Sequence, residues 1–191
     1  ADGGLTLDGG LGNDRLQVDF TGYTDTTFLV SGSAVSSNHG SFSNWESYSL
    51  LFRGNATVRT GAGNDSVVLY FGSSSANMAA GNDMIQSFHA ATNGVWGADT
   101  INGGAGSDRW IGYFQSAIGP VTFTYNGSEG TLTGGTTLTS IERAEFYGSA
   151  FDDVFVMTAA ANALLDGGGG IEELTIDYTG QGLYGNHSQS I

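Results

Sequence analysis

Between Leu51 and Gln86 an apolar side chain recurs every nine residues, at Val58, Val67, Ala76 and Ile85. Glycine keeps the same period four residues earlier, at Gly54, Gly63, Gly72 and Gly81. The sixth residue of each nine is Ala56, Asp65, Ser74 and Asp83, so aspartate returns only every eighteen. Single apolar positions this far apart predict very short strands, in which only the middle side chain points inward. The glycines suit turns that need positive φ or leave no room for a Cβ. Two nonapeptides then make one circuit of turn, strand, turn and strand, and each circuit buries its apolar side by stacking on the next. The expected fold class is all-β: a parallel β-roll, or β-solenoid, with less regular β segments between the repeat blocks.

The frame extends beyond this run. "GGLGNDRLQ" (9–17), "GVWGADTIN" (94–102) and "GGAGSDRWI" (103–111) are further units. "GSAFDDVFV" (148–156) and "GGGGIEELT" (167–175) are weaker, with Phe151 in place of glycine and Glu172 in place of aspartate. Seven residues, "SFHAATN" (87–93), interrupt the frame and read as a loop bulging from one corner. A longer similarity overlies the nonapeptides, since "LDGGLGNDRLQVDFTG" (7–22) matches "LDGGGGIEELTIDYTG" (165–180). Segments of about 21–50 and 115–147 read as Thr- and aromatic-rich short strands with glycine turns. "GSFSNWESYSLLFRG" and "TLTSIERAEFYGS" resemble one element closing each of them. Residues 1–191 are therefore read as one elongated repeat region, with a third long repeat starting at about 165. Because the opening "ADGGLTLDGG" is already repeat-like, the chain is expected to be a piece of a larger protein.

Stacking gives the aspartates a place. Units eighteen apart lie one strand spacing, ~4.8 Å, above one another. Asp65 and Asp83 fall in one column, and Asp108 joins them once the seven-residue insertion is skipped; Asp99 falls on the opposite side, above Ser74 and Ala56. Two carboxylates at that spacing repel by about 3.5 kcal/mol at an effective dielectric of 20. A cation between successive turns would relieve this. Carboxylates and exposed turn carbonyls form an all-oxygen, flexible ligand set, which favours Ca²⁺ over zinc, copper or magnesium.

"GGLGNDRLQ" and "GGAGSDRWI" resemble the Gly-Gly-x-Gly-x-Asp-x-apolar-x nonapeptide of RTX (repeats-in-toxin) proteins, a calcium-associated repeat. The resemblance implies several Ca²⁺ ions held between consecutive turns by sixth-position carboxylates and turn carbonyls. In this sequence the candidate metal residues are Gly9, Leu11 and Asp14; Thr60, Ala62 and Asp65; Met78, Ala80 and Asp83; Gly94, Trp96 and Asp99; Gly103, Ala105 and Asp108; and Asp153. It also implies type I export from a Gram-negative bacterium, and folding outside the cell as calcium binds. The module would be a structural and secretion part of a larger exoprotein, packed against neighbouring repeats of that parent. The alternative is a calcium-dependent polysaccharide-binding or adhesin module.

Composition narrows the alternatives. The formal net charge is −14, there is no lysine, and the five positive residues are all arginine. Nucleic acid and anionic membranes need basic surface, so neither is an expected partner. No stretch approaches the ~20 apolar residues of a spanning helix. Without cysteine no thiolate site is possible. The Gly-x-Gly runs lack the third glycine of a dinucleotide turn, having Arg15, Ser66 and Arg109 there, and no phosphate-loop lysine exists. His39, His89 and His187 are isolated and read as surface or loop residues, and no carboxylate pair has acid–base spacing, so no catalytic centre is expected. Trp45, Tyr48, Tyr70, Phe71, Trp96, Tyr113 and Phe114 read as core or end-capping residues, or as a sugar-stacking platform.

Overall fold

The structure, a computed structural model, describes residues 5–90 and 97–179. Its strands in chain order begin with β1 (Leu5–Asp8), β2 (Arg15–Phe20), β3 (Asp25–Ser31), β4 (Ala34–Ser37), β5 (Gly40–Ser43), β6 (Ser47–Arg53) and β7 (Asn55–Arg59). They continue with β8 (Ser66–Tyr70), β9 (Ser75–Asn77), β10 (Ala80–Gly81), β11 (Met84–Ala90), β12 (Thr100–Asn102), β13 (Ala105–Gly106) and β14 (Arg109–Ser116). The last are β15 (Thr122–Tyr125), β16 (Gly130–Leu132), β17 (Thr137–Thr139), β18 (Arg143–Tyr147), β19 (Val154–Thr158), β20 (Ala163–Asp166) and β21 (Glu173–Asp177). Among the described residues the fold is all-β, without a helix.

Among the described residues three sheets result. A wide sheet of twelve strands runs β1-β5-β4-β3-β7-β9-β12-β17-β16-β15-β19-β21, a narrow one of seven runs β2-β6-β8-β11-β14-β18-β20, and β10 pairs with β13 alone. Through the nonapeptide run, successive strands alternate between the narrow and wide sheets and pair in parallel. The register follows the repeat. Val58 pairs with Ala76 and Ala76 with Ile101 in the wide sheet, while Val67 pairs with Ile85 and Ile85 with Trp110 in the narrow one. The irregular segments are antiparallel excursions of the wide sheet, β3-β4-β5 and β15-β16-β17.

The wide-sheet strands β9, β12 and β17 have the expected three residues, each with one buried side chain: Ala76, Ile101 and Leu138. The narrow-sheet strands are longer. On β6, Tyr48, Leu50 and Phe52 all face inward, and β8 buries both Val67 and Leu69. The core is thus thicker than one apolar residue per nine, and much of it is aromatic: Trp110, Phe114, Phe123, Phe146 and Phe155 are almost fully buried. The first part of the loop expected at 87–93 is corrected, because Ser87, Phe88, His89 and Ala90 belong to β11, where Phe88 finds a ring to stack on; 91–93 lie outside the described residues.

Glycine keeps its period because the turns themselves touch. A Cβ on Gly106 would lie 1.6 Å from the Gly81 carbonyl oxygen, and one on Gly81 would lie 2.2 Å from that of Gly63. The other side repeats the device, with a Cβ on Gly97 meeting the Gly72 carbonyl at 1.4 Å. No side chain fits between successive turns at these positions.

Candidate metal site, a column of carboxylates

Asp14, Asp65, Asp83 and Asp108 immediately precede the narrow-sheet strands β2, β8, β11 and β14. The parallel register of β8, β11 and β14 therefore stacks the turns of Asp65, Asp83 and Asp108, while β6 lies between β2 and β8 and sets Asp14 one strand apart. The three stacked carboxylates each reach back one circuit to the main chain below. Asp65 Oδ1 accepts the Tyr48 N–H at 2.7 Å, Asp83 Oδ1 accepts the Asp65 N–H at 2.7 Å, and Asp108 Oδ1 accepts the Asp83 N–H at 2.8 Å. These are short, charge-assisted bonds. A cation is therefore not the only compensation for the stacked charges: main-chain donors satisfy one oxygen of each.

The second oxygen differs. Oδ2 of Asp14, Asp65, Asp83 and Asp108 is buried without a well-formed hydrogen bond, although at Asp65 the nearby Thr60 hydroxyl and Gly61 N–H partly offset the cost of burial. Asp65, Asp83 and Asp108 are themselves almost fully buried. Burial lifts the carboxyl pKa of Asp65 and of Asp108, and pushes that of Asp83 up to about 7. A buried, unpaired carboxylate oxygen costs free energy until a proton or a cation meets it. The column therefore has the donor chemistry of an oxygen-ligated cation site. Among the described residues no three His, Asp or Glu side chains converge on one point, so main-chain carbonyls would have to complete any coordination shell.

The turn residues named above are placed unevenly. Ala80 and Ala105 lie in the paired segments β10 and β13. Thr60, Met78 and Gly103 follow wide-sheet strands and donate their N–H groups to Asn77, Asn102 and Thr139. The Met78 carbonyl already accepts the Thr60 hydroxyl at 2.8 Å. Leu11 has a fully exposed side chain, and a Cβ on Gly9 would lie 2.1 Å from the Asn44 carbonyl. Ala62 borders a cavity discussed below. Gly94 and Trp96 lie outside the described residues, as does His187.

On the wide-sheet side hydroxyls share the carboxylate's role. Ser74 Oγ accepts the Ala56 N–H at 3.2 Å, Asp99 Oδ1 accepts the Ser74 N–H at 2.9 Å, and Thr136 Oγ1 accepts the Asp99 N–H at 3.1 Å. Asp99 Oδ2 faces His89 Nε2 at 3.4 Å. This corrects the surface assignment of His89, which is buried and stacked on Phe114. Burial pushes His89 down to about 4 and Asp99 up to about 6. Asp153 is satisfied from within: Oδ1 accepts Val121 N–H and Ser149 Oγ–H, and Oδ2 accepts Ser149 N–H, each at 2.7 Å.

Three glutamates complete the ladders: Glu46 and Glu142, which the nonapeptide frame missed, and Glu172, which it placed at an aspartate position. Glu46 accepts the Asp14 N–H at 2.8 Å, Glu142 the Asp108 N–H at 2.7 Å, and Glu172 the Asp153 N–H at 2.7 Å. The first two follow the antiparallel excursions. A signal was present in the matched closing elements "NWES" and "SIER", whose glutamates align.

The aromatic candidates separate in the same way. Tyr48 and Phe114 are core. Tyr70, Phe88, Tyr113 and Tyr147 form a stacked row on the outer face of the narrow sheet, with centroids 4.8, 4.4 and 5.2 Å apart. Their faces are spent on one another, so the row offers ring edges rather than a stacking platform. Phe71 is partly exposed beside Arg53. On the same face Arg109 and Arg143 both pair with the buried Glu145, at 2.5 and 2.7 Å.

Fold and site together define an all-β protein with mostly parallel sheets and a buried carboxylate column along one side. Comparison of the chain with protein-family models, curated proteins and solved structures found no match. Among the described residues no helix is long and apolar enough to cross a membrane.

Proposed function

We propose that this chain is a calcium-binding repeat module of the RTX kind. In this reading it is a β-roll that folds as Ca²⁺ binds outside the cell and serves as a structural, secretion-linked part of a larger exoprotein. The observation that carries the reading is the row of buried, unpartnered Oδ2 atoms on Asp14, Asp65, Asp83 and Asp108. Those oxygens would hold the ion, with turn carbonyls completing its shell, and the bound ion would neutralise carboxylates that burial otherwise opposes. At an extracellular-type Kd of roughly 0.1–1 mM and ~10 mM calcium, each site would add about 1.4–2.7 kcal/mol.

Asp99 and Asp153 are weaker candidates, since an imidazole faces the first and internal donors satisfy the second. Circular dichroism and chemical denaturation in EGTA and in calcium test the proposal. Stability must rise with calcium and not with magnesium at equal ionic strength; identical curves in EGTA and calcium would sink it. A second reading, a glycan-binding module, is favoured by one separate feature described next.

A further inference from the structure

The first antiparallel excursion borders an open cavity of about 510 Å³. It is bordered by Trp45 and Glu46, by Asn13 and Ser33, and by the turn glycines Gly61 and Gly63. This volume lies within the range of small-ligand sites. No arginine or lysine borders it, and Glu46 is its one charged side chain, with Oε2 already holding the Asp14 N–H. Aromatic, amide, hydroxyl and main-chain groups, with the aliphatic Val30 and Ala62 beside them and no cation, suit a polyhydroxylated, uncharged ring with an apolar face. An anionic ligand would meet Glu46 and a net charge of −14.

The second excursion supplies an internal control. Asn44 and Ser140 both take positive φ, at 56° and 51°. Each is followed by one residue and then by the glutamate that caps an aspartate N–H. The intervening residue has its carbonyl bound by a tyrosine hydroxyl in both copies: Tyr48 to Trp45 at 2.9 Å, and Tyr125 to Ile141 at 2.6 Å. The turn and the held carbonyl correspond, although the hydroxyl comes from β6 in the first copy and from β15 in the second; Ile141 is fully buried whereas Trp45 is only partly buried at the cavity wall. The Trp45 indole nitrogen is itself buried and unpaired, so it is the partly exposed remainder of the side chain that the cavity meets. Ile141 shows that the fold does not require an indole there.

We infer that the Trp45 cavity is a binding site for a neutral saccharide, with Trp45 packing on the sugar ring and Asn13, Ser33 and the turn backbone meeting its hydroxyls. This goes beyond the cation reading and does not depend on it, since the cavity is bordered by residues of the fold itself.

The test is binding of the folded protein to an array of neutral hexose and N-acetylhexosamine oligosaccharides, followed by calorimetry on the best of them, with and without calcium. Saturable binding is expected, and Trp45→Ile, which installs the residue of the second copy, should weaken it at least tenfold with an unchanged circular dichroism spectrum. If Trp45→Ile disturbs folding, Asn13→Ala and amide chemical shifts of the wild type decide. The sugar must then move the signals of Ser33, Gly61 and Gly63 rather than those of the Tyr70 row. Absence of binding to any neutral glycan, preference for acidic glycans, or shifts that map elsewhere would overturn the proposal. Failure of the cation reading would appear separately, as folding indifferent to EGTA.

Discussion

Asp83→Asn should change sign with calcium. The substitution keeps an oxygen for the Asp65 N–H, now 2.7 Å from Asp83 Oδ1, and removes the charge from the buried Oδ2. Burial raises the Asp83 pKa from 3.8 to about 7. At 1.36 kcal/mol per unit, holding this group ionised near pH 7.5 costs the cation-free fold up to ~4 kcal/mol, and about 2 kcal/mol once relaxation and water entry are allowed for. Asparagine removes that cost, so in EGTA the variant should be more stable than wild type by about 2 kcal/mol. In ~10 mM calcium it loses carboxylate ligation of the two ions that would flank it, roughly 1.4–2.7 kcal/mol each, which outweighs the gain of about 2 kcal/mol and leaves it less stable than wild type by about 1–3 kcal/mol. Urea denaturation at pH 7.5 in both buffers measures each difference. A wild type unfolded in EGTA beside a folded variant meets the same expectation. Equal destabilisation in both buffers would refute the reasoning, because it would make the Oδ2 group a structural acceptor rather than an unpaired charge.

Three further outcomes follow from the same geometry. In EGTA, stability should fall as pH rises from 5 to 8, because the folded pKa values of Asp83 and Asp99, about 7 and 6, lie above the unfolded 3.8 and folding favours their protonated forms. His89, lowered to about 4, works the other way as pH falls below its unfolded 6.5, so thermal melts of His89→Gln should show the carboxyl trend more steeply. Gly106→Ala should cost about 3 kcal/mol or more, since φ is 150° and the Cβ would lie 1.6 Å from the Gly81 carbonyl, whereas Gly119→Ala, with nothing within 4 Å, should stay within about 0.5 kcal/mol. Ser74→Ala should cost about 1–2 kcal/mol equally in EGTA and in calcium, because it strips the Ala56 N–H of its acceptor and removes no charge.

Much of this arrangement was readable from residue order. The nine-residue period of glycine and the eighteen-residue period of aspartate are local consequences of turns that stack, so Asp65, Asp83 and Asp108 could be assigned to one column before any coordinates. That column follows from register alone: once Val67, Ile85 and Trp110 pair, the residues two positions earlier must stack as well. The three-residue wide-sheet strands were legible for the same reason.

What a repeat frame cannot carry is anything set by contacts between distant segments. Glu46 and Glu142 sit outside a strict aspartate count, and only the packed turns show them reaching the N–H groups of Asp14 and Asp108 across a whole antiparallel excursion. The burial of His89 against Phe114 and Asp99 was hidden because β11 outruns its nonapeptide to pair with β14. The thickness of the core came from long narrow-sheet strands filled with rings drawn from the irregular segments. The order of residues determined which turns lie above one another, because a strand's side chains alternate and its partners are fixed by a repeat. Tertiary structure alone decided which oxygens those turns leave unpaired, because a carboxylate's second oxygen is satisfied or stranded by whichever donors the fold brings within about 3 Å.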